Sequence, residues 1–236
     1  MIEKGNIQTD TLCNIDRLEK FNKWLYDKIV PFIGNRILEV GSGWGSFTKF
    51  FASRELVVGV DINKDYIERL KKIYTNQDNC IFIPSDISRV SSDELKKFNI
   101  DTVVIMNVLE HIENDSEILK LFYDVLVEKG HIVILVPAFN FIYGTLDKYL
   151  CHKRRYTSRV LRRLSQEAGF SITKIFYLNF FSMFGWFFTG RIFLRRRIPF
   201  FSIKIYNLLF PIFRFFEDHF HFPVGQSIVL IGEKEA

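Results

Sequence analysis

The chain has 236 residues, of which 48% are hydrophobic, 25% charged and 16% aromatic, which suits one large α/β domain with an elaboration or two small domains. With 13 Gly, 6 Pro and a mean hydropathy of +0.07, it is excluded from the disordered and collagen-like classes. The formal net charge of +5 is uneven: residues 1–150 carry −4 and residues 151–236 carry +9, a split that suggests two tasks in one chain.

Residues 1–35 read as a helical segment, with Leu18, Phe21, Trp24, Leu25, Ile29 and Phe32 spaced by threes and fours and stopped by Pro31 and Gly34. Strand-like and helix-like stretches then alternate. RILEV (Arg36–Val40) ends at a glycine cluster, residues 46–52 suit a helix, and LVVGVD (Leu56–Asp61) is a second apolar strand. Residues 65–74 have helical spacing, IFIP at 81–84 is a third strand, and residues 92–97 lead into a fourth, DTVVIMN at 101–107. A helix over 115–127 precedes the fifth strand, IVILVP at 132–137. A polar, basic connector follows, then a helix over 158–168, an alternating strand at 171–177 and a last strand at Ser227–Glu233. Apolar strands separated by helices indicate a doubly wound, mostly parallel sheet covered on both faces. No repeat or low-complexity linker divides the chain, so a single domain spanning 1–236 is expected, with 178–226 as an insertion.

Cys13, Cys80 and Cys151 lie far apart, which argues against a disulfide scaffold or zinc finger and for a reducing, cytoplasmic setting. Residues 1–10 are polar and carry no apolar core of the kind a secretory signal needs. Cys151 and His152 are adjacent and no other cluster has metal-ligand spacing, so no metal is expected.

The strongest chemical signal is ILEVGSGWG at 37–45. Glycines directly after a strand and before a helix let a ligand approach the backbone and the helix N-terminus. Glu39 sits two residues before the first glycine. The second strand ends in Asp61, where a carboxylate can accept both hydroxyls of a ribose, and the third ends in Ser85-Asp86-Ile87. A dinucleotide fold would place a third glycine one residue later, where Ser46 stands, to pack a helix below a pyrophosphate. The observed spacing fits a ligand without a pyrophosphate better. Asp61 and Asp86 could alternatively cap helical turns.

The series ILEVGSGWG, VVGVD, PSDI and DTVVIMNVLEHIEND resembles that of class I S-adenosylmethionine-dependent methyltransferases, over about residues 15–177 plus the final strand. The resemblance implies a Rossmann-like sheet of seven strands, the last antiparallel, with 171–177 and Ser227–Glu233 as the terminal pair. It implies that Glu39 and the loop of Gly41, Ser42, Gly43 and Gly45 hold the amino acid part of S-adenosylmethionine. Asp61 would take the ribose with Ile62 beside the adenine, Asp86 and Ile87 would hold the adenine amine and ring, and Asn107 and Val108 would line the methionine side. S-adenosylhomocysteine would be the product. His111 would belong to the scaffold near the cofactor, although a base role is open.

Ligands bind at the C-terminal edge of open α/β sheets, so the segment after the fifth strand is the acceptor side. Its Y-G-x-L-D-x(4)-H-x-R-R-Y pattern resembles the substrate segment of small-molecule and lipid methyltransferases. His152 or Asp147 is the candidate base or substrate orienter, with Tyr143 next; Asn140, Arg154, Arg155 and Tyr156 are candidate substrate contacts, the arginines for an anionic group.

Between the terminal strands lies the elaboration. Sixteen of the 26 Phe fall between Phe170 and Phe222, residues 183–194 and 203–216 are mostly apolar, Pro211 suggests a kink, and three arginines stand at 195–197. The longest runs without Asp, Glu, Lys or Arg are 17 residues (130–146) and 16 (175–190), short of the about 20 that a spanning helix needs. The segment suits docking on an anionic membrane, at the inner face of the membrane in a cytoplasmic protein, or a lid or homodimer interface. The expected activity is methyl transfer to a hydrophobic or lipid-linked small molecule, with a soluble metabolite or a non-catalytic role as alternatives. Arg interleaved with Phe, and no Pro-Pro-Tyr-like element after the fourth strand, argue against nucleic acid as partner.

Overall fold

A computed structural model describes residues 18–197 and 200–235; the helical expectation before Leu18, and Cys13, lie outside these. The strands are β1 (Arg36–Val40), β2 (Leu56–Asp61), β3 (Cys80–Pro84), β4 (Thr102–Met106), β5 (His131–Pro137), β6 (Ser171–Leu178) and β7 (Ser227–Glu233). They form one sheet in the order β3-β2-β1-β4-β5-β7-β6. Every pairing among β1 to β5 is parallel, whereas β7 runs antiparallel to both β5 and β6. The class I expectation is met, including the terminal pair.

The helices are α1 (Glu19–Ile29), α2 (Thr48–Phe51), α3 (Lys64–Ile73), α4 (Ser92–Lys96), α5 (Asp115–Val125), α6 (Thr145–Tyr149), α7 (Ser158–Glu167), α8 (Phe180–Phe187) and α9 (Phe200–His219). Strand alternation sorts the core into two layers. Leu38, Val58, Val103, Ile105, Ile132, Ile134 and Leu230 face Leu95 of α4, Ile118 and Phe122 of α5, and Leu161 of α7. Ile37, Val57, Val104, Val133, Val229 and Ile231 face Phe21, Trp24 and Leu25 of α1, Phe51 of α2 and Phe210 of α9.

Phe210 makes the insertion part of the core. Its ring meets Phe21 and Trp24 edge to face at 6.0 and 5.8 Å, and Trp24 Nε1 donates to Asp218 on the same helix at 2.8 Å. The insertion is thus more than a lid. The mostly apolar stretch 183–194 lies in α8 and the π-helical turn that follows it, Phe188–Ile192. Helix α9 runs unbroken through Pro211, and residues 145–149, read as loop, form α6.

The two sides of α9 should therefore respond differently to truncation. Phe210→Ala, at 3% exposure, should cost about 3 kcal/mol or more, whereas Leu208→Ala, at 76%, should stay within about 0.5 kcal/mol; chemical denaturation of both variants measures the difference.

Candidate active site

Two groups of polar residues meet at the C-terminal ends of the parallel strands. The first surrounds the glycine loop. Gly41, Gly43 and Gly45 all have positive φ (76°, 52° and 84°), and a Cβ at Gly41 would lie 2.2 Å from Val108 Cγ2. Gly41 is therefore required both by its left-handed backbone and by the side chain that follows β4. Asp61 ties the loop to the tip of β2: one oxygen accepts the Gly43 amide at 2.9 Å and the other the Asn63 amide at 2.8 Å. Burial raises the Asp61 pKa, and these two amides oppose the shift. Asn63, not Asp61, caps α3, which leaves Asp61 directed at the loop.

Glu39 is buried beneath the loop, where the Thr48 hydroxyl donates to it at 2.6 Å. Burial, reinforced by the nearby Asp61 charge, pushes its pKa up to about 8 against the Thr48 hydrogen bond. A buried carboxyl of this kind suits a cationic ligand group, and the ammonium of an amino acid moiety would supply one. Ile62 is 73% exposed beside Asp61, an apolar wall for a ring, while Ile87 is packed into the core. Asp86 accepts from the Ser88 amide (3.0 Å) and hydroxyl (2.8 Å) and so caps the turn Ile87–Arg89, the second of its two readings. Asn107 takes a left-handed conformation (φ 53°) and donates its amide to Leu135 O, which turns the chain sharply into Val108.

The second group is built on Asp147. Its Oδ1 accepts from His152 Nδ1 (2.9 Å) and Arg155 Nε (2.8 Å), and its Oδ2 from the Gly144 amide (3.0 Å) and Trp186 Nε1 (3.1 Å). Burial would raise its pKa, but the His152 hydrogen bond and the Arg155 charge outweigh it and hold the group at about 2. An ionised carboxylate with four donors is a poor proton acceptor, so Asp147 is corrected from candidate base to orienter of His152.

Three other candidates have most of their polar groups engaged within the protein, which argues against their role as substrate contacts; of their buried side-chain polar atoms only Arg155 Nη2 is left without a partner. Arg155 is buried, with Nη1 donating to Ala138 O, and its guanidinium lies 5.3 Å from the Trp186 ring. Arg154 bonds Asp115 and the Glu113 carbonyl. Tyr156 is in the core and donates to Asp115 at 2.8 Å, its pKa raised by burial and by that carboxylate. The Tyr143 hydroxyl donates to His152 O at 2.8 Å, and the Asn140 side chain accepts the Arg155 amide at 3.2 Å. These residues shape the acceptor segment around His152.

Sequence reading missed Glu110. It is fully buried, and neither carboxylate oxygen has a hydrogen-bond partner. Burial pushes its pKa up to about 7, against the His152 and Arg155 charges. His152 Nε2 lies 3.8 Å from Glu110 Oε1, and the His111 and His152 rings meet edge to face at 5.0 Å. His111 Nδ1 is 3.2 Å from Cys151 O; burial first, then His152, lowers its pKa to about 4. The Glu-His pair after the fourth strand was the available signal, but its partner stands 41 positions on. The insertion closes over the same segment: besides Trp186 on Asp147, the Thr145 hydroxyl donates to Gly190 O at 2.9 Å and Arg191 Nη1 to Tyr143 O at 3.0 Å.

The Glu39 environment has a measurable consequence. A carboxyl favoured as the neutral acid in the fold stabilises it fully below its ordinary pKa of 4.5, and that contribution is lost as pH rises to about 8. Glu39→Gln removes this dependence. Thermal unfolding of the ligand-free protein between pH 5 and 8.5 should show the variant gaining on the wild type as pH rises.

Residues 37–130 match a family model described as a methyltransferase domain. None of the curated proteins matches the sequence. Among solved structures, the chain is similar to an S-adenosylmethionine-dependent methyltransferase from Archaeoglobus fulgidus, with 21% identity, TM-score 0.59, and 92% of this chain and 94% of that one covered. It is similar to the N-methyltransferase NodS of Bradyrhizobium japonicum, in complex with S-adenosylhomocysteine, with 12% identity, TM-score 0.60 and 92% and 87% covered. It also resembles the [4+2]-cyclase SpnF, with 15% identity, TM-score 0.58 and 94% and 81% covered. Strand order, glycine loop and family match agree: residues 37–130 match a methyltransferase domain, and the sheet has the fold of class I, S-adenosylmethionine-dependent methyltransferases.

Proposed function

We propose that the protein is an S-adenosylmethionine-dependent methyltransferase acting on a hydrophobic or lipid-linked small molecule at an anionic membrane surface. In this reading Glu39 and the loop of Gly41, Ser42, Gly43 and Gly45 hold the amino acid end of the donor. Asp61 binds the ribose, Ile62 lies beside the adenine, Asp86 reaches its amine from the turn it caps, and Asn107 and Val108 line the methionine side; Ile87, packed into the core, supports that turn from below. The bound donor supplies a methyl group on a sulfonium, already a strong leaving group. The protein's share is alignment, worth up to about 7–11 kcal/mol in the best intramolecular cases. His152, its Nδ1 proton fixed on Asp147, presents Nε2 on the acceptor side.

The observation that carries the acceptor class is the outer face of the insertion. Along α9, Phe201, Ile205, Leu208, Ile212 and Phe215 are exposed at spacings of four and three, while Phe184, Phe188, Ile192, Phe193 and Leu194 are exposed in the arm before it. Among the described residues no helix is long and apolar enough to cross a membrane, and the inner side of α9 is occupied by the core. Such a stripe suits lying in the interface, with Arg191 and the arginines at 195–197 beside it, each basic residue near an anionic surface contributing about 1 kcal/mol. Since the same arm covers the His152 segment, an acceptor could enter from the bilayer.

The fold also serves a cyclase, so the assay must follow the methyl group itself. Incubated with methyl-labelled donor, the protein should label membrane lipid extract in preference to soluble metabolites. Binding to vesicles should rise with anionic lipid and fall with salt, and changing Arg195, Arg196 and Arg197 together to Glu should abolish it without loss of donor affinity. Labelling confined to soluble metabolites, or a stable dimer indifferent to vesicles, would contradict the membrane reading.

A further inference from the structure

We infer that Glu110, His111 and His152 form a binding site for a divalent first-row transition metal ion. Their candidate ligand atoms all lie within 4.8 Å of one another, and two histidines with one carboxylate is a donor set that suits Zn²⁺, Co²⁺ or Fe²⁺. Bonds of about 2.1 Å would draw the ligand atoms somewhat closer than they stand, and the partly exposed His111 gives the group room to move.

Three features point to an ion rather than to chance clustering. First, Glu110 is fully buried with both oxygens unpartnered; the desolvation of such a carboxylate costs several kcal/mol unless a counter-charge sits against it. Arg155 lowers the Glu110 pKa by its charge but makes no hydrogen bond to it: its Nε is committed to Asp147, its Nη1 to Ala138 O, and its Nη2 is itself without a partner. Second, both imidazoles are oriented as metal ligands are. The Cys151 carbonyl can only accept, so His111 Nδ1 carries a proton, and the ionised Asp147 likewise fixes the proton of His152 on Nδ1. Each ring is left with its Nε2 lone pair, and its second-shell partner is of the kind that orients metal-bound histidines. Third, the supporting shell is rigid: Asp147 is held by four donors, and the turn Leu109–His111 follows directly on β4.

Three protein ligands leave positions open on such an ion, as in catalytic rather than structural metal sites. The site uses none of the glycine-loop residues and does not require that the protein transfer methyl groups.

The test is titration of chelator-stripped full-length protein with Zn²⁺ by calorimetry and with Co²⁺ by visible absorption. Wild type should bind one ion, with Co²⁺ giving the intense bands of a site of low symmetry. Glu110→Gln keeps the shape and removes the buried charge, so it should fold at least as stably without metal, yet bind at least 100-fold more weakly; His111→Gln should lose affinity similarly. S-adenosylmethionine affinity should be unchanged in both, which separates failure of this site from failure of the donor reading. Absence of stoichiometric binding to wild type, or affinity retained in either folded variant, would overturn the assignment.

Discussion

The contact between Gly41 and Val108 sets the rest of the site. A side chain at residue 41 would collide with Val108, so the loop after β1 and the turn after β4 can pack this closely only through a glycine. That approach puts Glu39 and Asp61, at the tips of β1 and β2, on one side of the turn, with Glu110 and His111 two and three residues beyond Val108. Asn107 makes it possible by adopting a left-handed backbone, a conformation Asn tolerates better than most residues. Two chemically different groups, one around the glycine loop and one around His152, thereby share one edge of the sheet.

Buried carboxylates do different work in the two groups because their donors differ. Asp147, with four donors and a guanidinium alongside, is locked as an anion and organises the loop after β5. Glu39 has the Thr48 hydroxyl and no cation, and is held toward the neutral acid. Glu110 lacks any hydrogen-bond partner. Burial is common to all three, so it is the partner count that separates an orienting group from groups awaiting a positive charge.

The sheet was legible in the sequence because its strands are almost wholly apolar and separated by helices with clear periodicity, and β7 could be placed by resemblance. The geometry of the glycine loop and Asp61 was legible for a local reason: it follows from backbone conformation within a few residues. The acceptor side was not. Arg154, Arg155 and Tyr156 look like substrate contacts in a linear reading, the arginines for an anion, but their partners Asp115, Asp147 and Ala138 lie 8 to 41 residues away. Only the fold shows that both arginines already face a carboxylate of the protein. Glu110 was hidden in the same way, since its importance lies in having no partner. Helix α9 shows the opposite limit: its composition announced an apolar elaboration, but not that Phe210 on one side completes the core while Leu208 on the other is bare.

Calorimetric titration of the purified protein with S-adenosylmethionine and, separately, with NAD tests the donor pocket most directly. Saturable binding of one S-adenosylmethionine per chain is predicted, weakened about tenfold or more in Asp61→Ala by loss of charge-assisted hydrogen bonds, with no binding of NAD. Tight binding of NAD with no response to S-adenosylmethionine would contradict it.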